Sequence, residues 1–324
     1  MGLRLLGACC TFAVPHLDTS GAGPLEHTHN YYGEIMKIIL FIIMFLFMII
    51  SGFAQPIPID SLYLGQTPPD SIPKIFNLPV TPGYFAGDRI AISNDGKSIY
   101  YNELNGYNSK SKARIKWLRY GQNKWNGPFI LFEGYVSPGL SISGDTMFME
   151  YGGSFYSVRN DTGWEDPKKF LVKPNFVHYL EVTNNGTFYF TTASKISSRG
   201  DISRIFMNDS NSSLQSLPSP VNSSLNGIDF YIAKDESYII FPEIISGSGD
   251  LFISYKITDS IWTNPKDLGA PINSSDWEYG IYISPDNKYL FFSRSSHTAT
   301  NTYWVKIGNL IDNLKQASFG FIEK

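Results

Sequence analysis

One unit recurs along this chain and constrains its fold more than any other feature: an apolar residue, a polar turn rich in Asn, Asp and Gly, then an apolar strand. It reads ISPDNKYLFF at 283–292 and ISNDGKSIYY at 92–101. The pattern returns as LSISGDTMFM (140–149), VTNNGTFYF (182–190) and IAKDESYIIF (232–241). The turn centres, Gly96, Gly144, Gly186, Glu236 and Asn287, lie 48, 42, 50 and 51 residues apart. A hairpin repeat of that period has the length of a propeller blade of four short strands.

The rest of the unit recurs in phase. A further strand follows each hairpin, at 113–120, 153–160, 200–207, 249–256 and 301–307. Segments carrying Trp and Pro come next in KWNGPFILF (124–132), GWEDPKKFL (163–171) and IWTNPKDLG (261–269), and without Trp in LQSLPSPVN (214–222). Proline suits an outer edge strand, where a missing N–H costs little. The last hairpin and its third strand are followed by GNLIDNLKQ, which reads as a short helix. The missing outer strand has a candidate upstream in IPKIFNLP (72–79). An N-terminal strand completing the last blade would close the ring and remove a sheet edge. The expected fold is therefore all-β: a single β-propeller of four-stranded blades, five in number with six as the alternative, closed by an N-terminal strand. Composition agrees, since 15% of the residues are aromatic and 17% charged, with 28 Gly and 19 Pro. Asp95 and Asp286 are expected to hold their turns through side-chain bonds to the backbone.

These residues carry a resemblance. ISPDNKYLFFSR and ISNDGKSIYYNE resemble the repeat of the TolB-like, WD-repeat-like β-propellers, whose consensus is roughly Ser-Pro-Asp-Gly-Lys before an apolar strand. Residues 261–294 fit the fuller pattern best. YLGQTPPDSIPKIF (63–76) resembles the lead-in of exported bacterial proteins of this kind. The likeness covers nearly all of the chain after residue 54 and departs at Gly144-Asp145 and Glu236, where the Asp-Gly order is lost. It implies a propeller that binds partners, without implying any one reaction.

The N-terminus reads as two segments. Met36-Lys37, the apolar run Ile38–Ile50 and Ser51-Gly52-Phe53-Ala54 have the form of a secretory signal peptide cut after Ala54. The run is short for a membrane span, which needs about 20 apolar residues. Residues 1–35 have no periodic pattern and are expected to be a non-native upstream extension, with Met36 the true start. The expected organisation is thus extension 1–35, signal peptide 36–54, lead-in segment 55–71, propeller 72–307, and helix with tail 308–324. No lasting membrane span, periplasmic or secreted localisation and a monomer are expected. Both cysteines, Cys9 and Cys10, fall in the extension, so no structural disulfide is expected.

The net charge of −3 and the lack of a basic stripe give no reason to expect nucleic acid. His178 and His297 are the only histidines after residue 54, too few for a zinc site of three or four ligands, and no nucleotide or hydrolase motif occurs. No metal and no cofactor is expected. Aligning the innermost strands on the repeat brings Asp88, Arg89, His178, Tyr179, Asp229, Glu278 and Tyr279 near one end of the central channel, with Ser137 from the second blade. A cation, carboxylates and aromatic rings in one funnel suit a small polar ligand such as a sugar or a peptide end. The expected role is a non-catalytic binding module for protein, peptide or glycan. The alternative is a propeller glycosidase, with Asp88, Asp229 and Glu278 as candidate carboxylates.

Overall fold

The strand that follows each repeated turn is a near-continuous apolar run, and such runs belong to strands covered on both faces. The computed structural model bears this out: β3 (Ser98–Leu104) is buried at every position, and in β21 (Tyr289–Ser295) Leu290 to Ser293 are buried. The structure describes residues 34–42, 56–107, 112–161, 163–170, 177–192, 200–206, 213–223, 229–245 and 248–320. The chain divides into two units, Met1–Pro56 and Ile57–Lys324. In the first, residues 34–42 are helical and exposed. The remainder of the upstream extension and signal segment, with the expected cleavage point, lies outside the described residues. Among the described residues no helix is long and apolar enough to cross a membrane.

The second unit contains five small antiparallel sheets arranged as a propeller. Blade 1 is β2 (Phe85–Ile92), β3, β4 (Ala113–Gly121) and β5 (Lys124–Glu133). Blade 2 runs β6 (Val136–Leu140), β7 (Thr146–Glu150), β8 (Ser154–Asn160), with β9 (Gly163–Trp164) and β10 (Lys168–Lys169) sharing its outer edge. Blade 3 is β11 (Val177–Val182), β12 (Thr187–Thr192), β13 (Asp201–Phe206) and β14 (Gln215–Ser216). Blade 4 is β15 (Tyr231–Ile232), β16 (Tyr238–Ile245), β17 (Ser248–Thr258), β18 (Ile261–Trp262) and β19 (Lys266–Asp267). Blade 5 is β20 (Trp277–Ile283), β21 and β22 (Thr300–Lys306), with β1 (Lys74–Ile75) as its outer strand. A helix follows over Gly308–Phe319. Most outer strands are only two residues long, which limits edge-to-edge pairing.

Ring closure is the N-terminal strand expected from 72–79. Lys74 pairs with Trp304 and Ile75 with Tyr303. Phe76, 1% exposed, then inserts between Phe291 and Trp304, with centroids 5.1 and 5.2 Å away. The lead-in adds a second rivet: Tyr63 packs on Trp304 at 5.4 Å and donates its hydroxyl to Asp286 Oδ1 at 3.0 Å.

The turns are built alike. Asp286 Oδ1 accepts from Ser284 Oγ (2.6 Å) and Lys288 N (3.2 Å), and Asp95 Oδ1 from Ser93 Oγ (2.6 Å) and Lys97 N (3.0 Å). In blade 3 Asn185 does the same for Thr183 and Thr187. The bonds run within each turn, so they set hairpin geometry from local sequence.

What aims side chains at the channel is a repeated irregularity. The innermost strands of blades 1, 2, 3 and 5 slip register against their neighbours, between Ala86 and Ile90, Val136 and Gly139, His178 and Glu181, and Tyr279 and Tyr282. Each slip holds a left-handed residue: Asp88 (φ 63°), Ser137 (56°), Tyr179 (56°) and Gly280 (67°). Bulges of this kind turn a strand and redirect its side chains. At Gly280 a Cβ would stand 2.1 Å from the Asp88 carbonyl oxygen, so the backbones of blades 5 and 1 meet there only because position 280 is glycine.

Candidate functional site

Four bulged strands and the segment entering blade 4 converge on one acidic floor. Asp88 sits at its centre. Its Oδ1 accepts from the Tyr179 hydroxyl at 2.5 Å, and its Oδ2 from Asn102 Nδ2 at 2.5 Å and Ser137 Oγ at 3.0 Å. The bulges of blades 1, 2 and 3 thus meet in one hydrogen-bonded cluster. Tyrosine with positive φ is rare and costs about 1–3 kcal/mol, a strain that recurs at functional sites.

His178 is the second centre. Its Nδ1 lies 2.5 Å from Glu150 Oε2 and its Nε2 3.0 Å from Asp229 Oδ1. The remaining Glu150 oxygen accepts the Tyr179 backbone N–H (2.8 Å), and the remaining Asp229 oxygen that of Gly280 (3.0 Å). An imidazole between two carboxylates donates from both nitrogens as the cation. Burial opposes that charge, but Glu150 and Asp229 outweigh it and hold His178 well above the ordinary imidazole value. Burial, reinforced by the Asp229 charge, pushes the Asp88 carboxyl up to about 6.

Above the floor opens a cavity of about 660 Å³, of the size ligand sites have. Asp88, His178, Asp229 and Tyr279 line it, together with Trp277 and Tyr107. Tyr107 meets Tyr279 edge to face at 6.1 Å and hydroxyl to hydroxyl, forming one wall.

The residues named from sequence divide in three. Asp88, His178, Asp229 and Tyr279 share this cavity. Tyr179 is fully buried and supports Asp88 from below. Arg89 and Glu278 do not line it. Arg89, 1% exposed, is ion-paired to Glu181 and lines a separate cavity of about 620 Å³ with Lys234 and Tyr282. Glu278 is buried against Arg294 Nε (2.6 Å) and Ser274 Oγ (2.6 Å) in its own blade. Burial raises its carboxyl, with Ser274 and Arg294 pulling the other way. In the bulge of β2, where Gly87, Asp88 and Arg89 stand opposite Asn102 alone, Asp88 and Arg89 line different cavities. Several contributors carry little signal in the sequence, among them Asn102 on β3. Glu150 ends a second strand rather than a first, and Tyr107 lies in a loop between strands. Asp276 and Trp277 directly precede Glu278, and their position beside it was the available signal.

No protein-family model matches this chain, and a comparison with curated proteins finds no match. Solved structures of similar shape are found. TolB from Acinetobacter baumannii aligns over 68% of this chain and 52% of its own, at 17% identity and a TM-score of 0.45. This chain therefore spans about half the length of that protein. The catalytic domain of the GH62 α-L-arabinofuranosidase of Coprinopsis cinerea aligns over 73% of this chain and 97% of its own, at 9% identity and a TM-score of 0.47. The Podospora anserina α-L-arabinofuranosidase PaAbf62A gives 9% identity, 74% and 94% coverage and a TM-score of 0.47. These likenesses concern blade architecture and carry no function across.

Proposed function

We propose that this chain is an exported binding propeller that receives a polar ligand, a peptide end or a glycan, at the mouth lined by Asp88, His178, Asp229 and Tyr279. The observation that carries this reading is the saturation of the floor. Both oxygens of Asp88, of Asp229 and of Glu150 already accept hydrogen bonds from the protein. Such a floor is rigid and preorganised, which lowers the entropic cost of binding. Export rests on the signal-like segment at 36–54.

A hydrolytic reading keeps one specific support. A carboxyl raised to about 6 with a second carboxyl group nearby is the pattern of a general acid and its partner. In that reading Asp88 is the acid and Asp229 the second carboxylate, while Glu278, held by Arg294 and Ser274, has no part. Titrating the protein with a panel of oligosaccharides and peptides by calorimetry, then assaying each hit for turnover, separates the two. Binding without turnover is the expected result. Cleavage abolished in Asp88→Asn would replace the binding reading with the hydrolytic one.

A further inference from the structure

Carboxylates outnumber cations at this cavity, whose lining also includes the histidines His178 and His297. Among the described residues lining it are Asp88, Asp229 and Asp276, and no lysine or arginine. Glu150 adds another carboxylate behind His178, whose single positive charge offsets only part of the total. A cleft with low-dielectric walls focuses such a field on its opening. An anionic ligand would find no lysine or arginine partner among these residues.

The walls suit the opposite charge. Trp277, Tyr279 and Tyr107 present aromatic rings, whose electron-rich faces attract cations and whose surfaces cover methylene groups.

We propose that this mouth takes an organic cation, a ligand presenting an ammonium or guanidinium group, with its charge toward Asp88 and Asp229 and its carbon skeleton against Trp277 and Tyr279. The inference rests on the binding reading above and names its ligand class.

Calorimetry of the full chain with matched probes tests it: agmatine and glucosamine as cations, N-acetylglucosamine and glucose as neutral counterparts, glutarate as an anion. The cations are expected to bind at least about tenfold more tightly than the others, and more weakly as salt screens the field. Trp277→Ala and Asp276→Asn, both at partly exposed positions, are expected to lower cation affinity about tenfold and about fivefold with the unfolding temperature unchanged. Equal binding of neutral sugars, still lost in Trp277→Ala, overturns the cation and leaves a binding mouth. Failure of every cationic probe at millimolar concentration likewise overturns the cation. Cation binding indifferent to both substitutions places the ligand elsewhere and overturns the mouth as well.

Discussion

His178 and Asp88 tie the floor to pH in the same direction. The fold raises the Asp88 carboxyl to about 6, so its protonated form is favoured in the folded state. Its stabilising contribution is complete below the ordinary carboxylate value and disappears as pH rises through about 6. Glu150 and Asp229 raise His178, whose contribution is complete below the ordinary imidazole value and is lost as pH climbs through the higher folded one. Thermal unfolding followed from pH 5 to 8 is therefore expected to show a falling midpoint. Asp88→Asn is expected to flatten the acid limb, and an unchanged limb would refute the assignment. His178→Gln leaves two buried carboxylates facing each other without a cation and is expected to cost about 3–5 kcal/mol. Gly280→Ala must push a methyl into the Asp88 carbonyl at a left-handed position. Chemical denaturation is expected to show a loss of more than about 3 kcal/mol, beyond the ordinary cost of a strained backbone.

Among the elements, the hairpins and the closing strand were legible because their determinants are local or periodic. Ser284, Asp286 and Lys288 bond one another within the turn, so neighbouring letters suffice to specify it. The N-terminal closing strand is legible because the last blade's own segment supplies three strands and leaves its outer edge open for β1. Its hold is larger than a two-residue ladder implies, because Phe76 is buried against Phe291 and Trp304. Phe76→Ala is expected to cost about 3–5 kcal/mol in denaturant unfolding, the range for a buried aromatic. Lys74→Ala, at an exposed position, is expected to change stability by less than about 0.5 kcal/mol. The bulges were not legible. Asp88, Ser137, Tyr179 and Gly280 share no residue type, and the slip they produce depends on pairing with the next strand.

At the scale of the whole molecule, the period of the repeat determined an all-β ring of five blades closed by its own N-terminus, because each blade buries its faces only against its neighbours. The innermost-strand alignment placed Asp88, Arg89, His178, Tyr179, Asp229, Glu278 and Tyr279 near one end of the channel, and Asp88, His178, Asp229 and Tyr279 line one cavity there. If the segment at 36–54 acts as a signal, N-terminal sequencing of the protein recovered after export is expected to begin at Gln55. Retention of residues 36–54 would set that reading aside. Only the tertiary structure decided which charges meet. Arg89, adjacent to Asp88 in sequence, pairs with Glu181 in blade 3 and lines another cavity, while Glu150, 28 residues before His178, becomes its partner. Periodicity records which positions face the channel. The partner of each charge depends on a slip of one or two residues in a bulge and on side chains from three or four blades, distances that no single repeat contains.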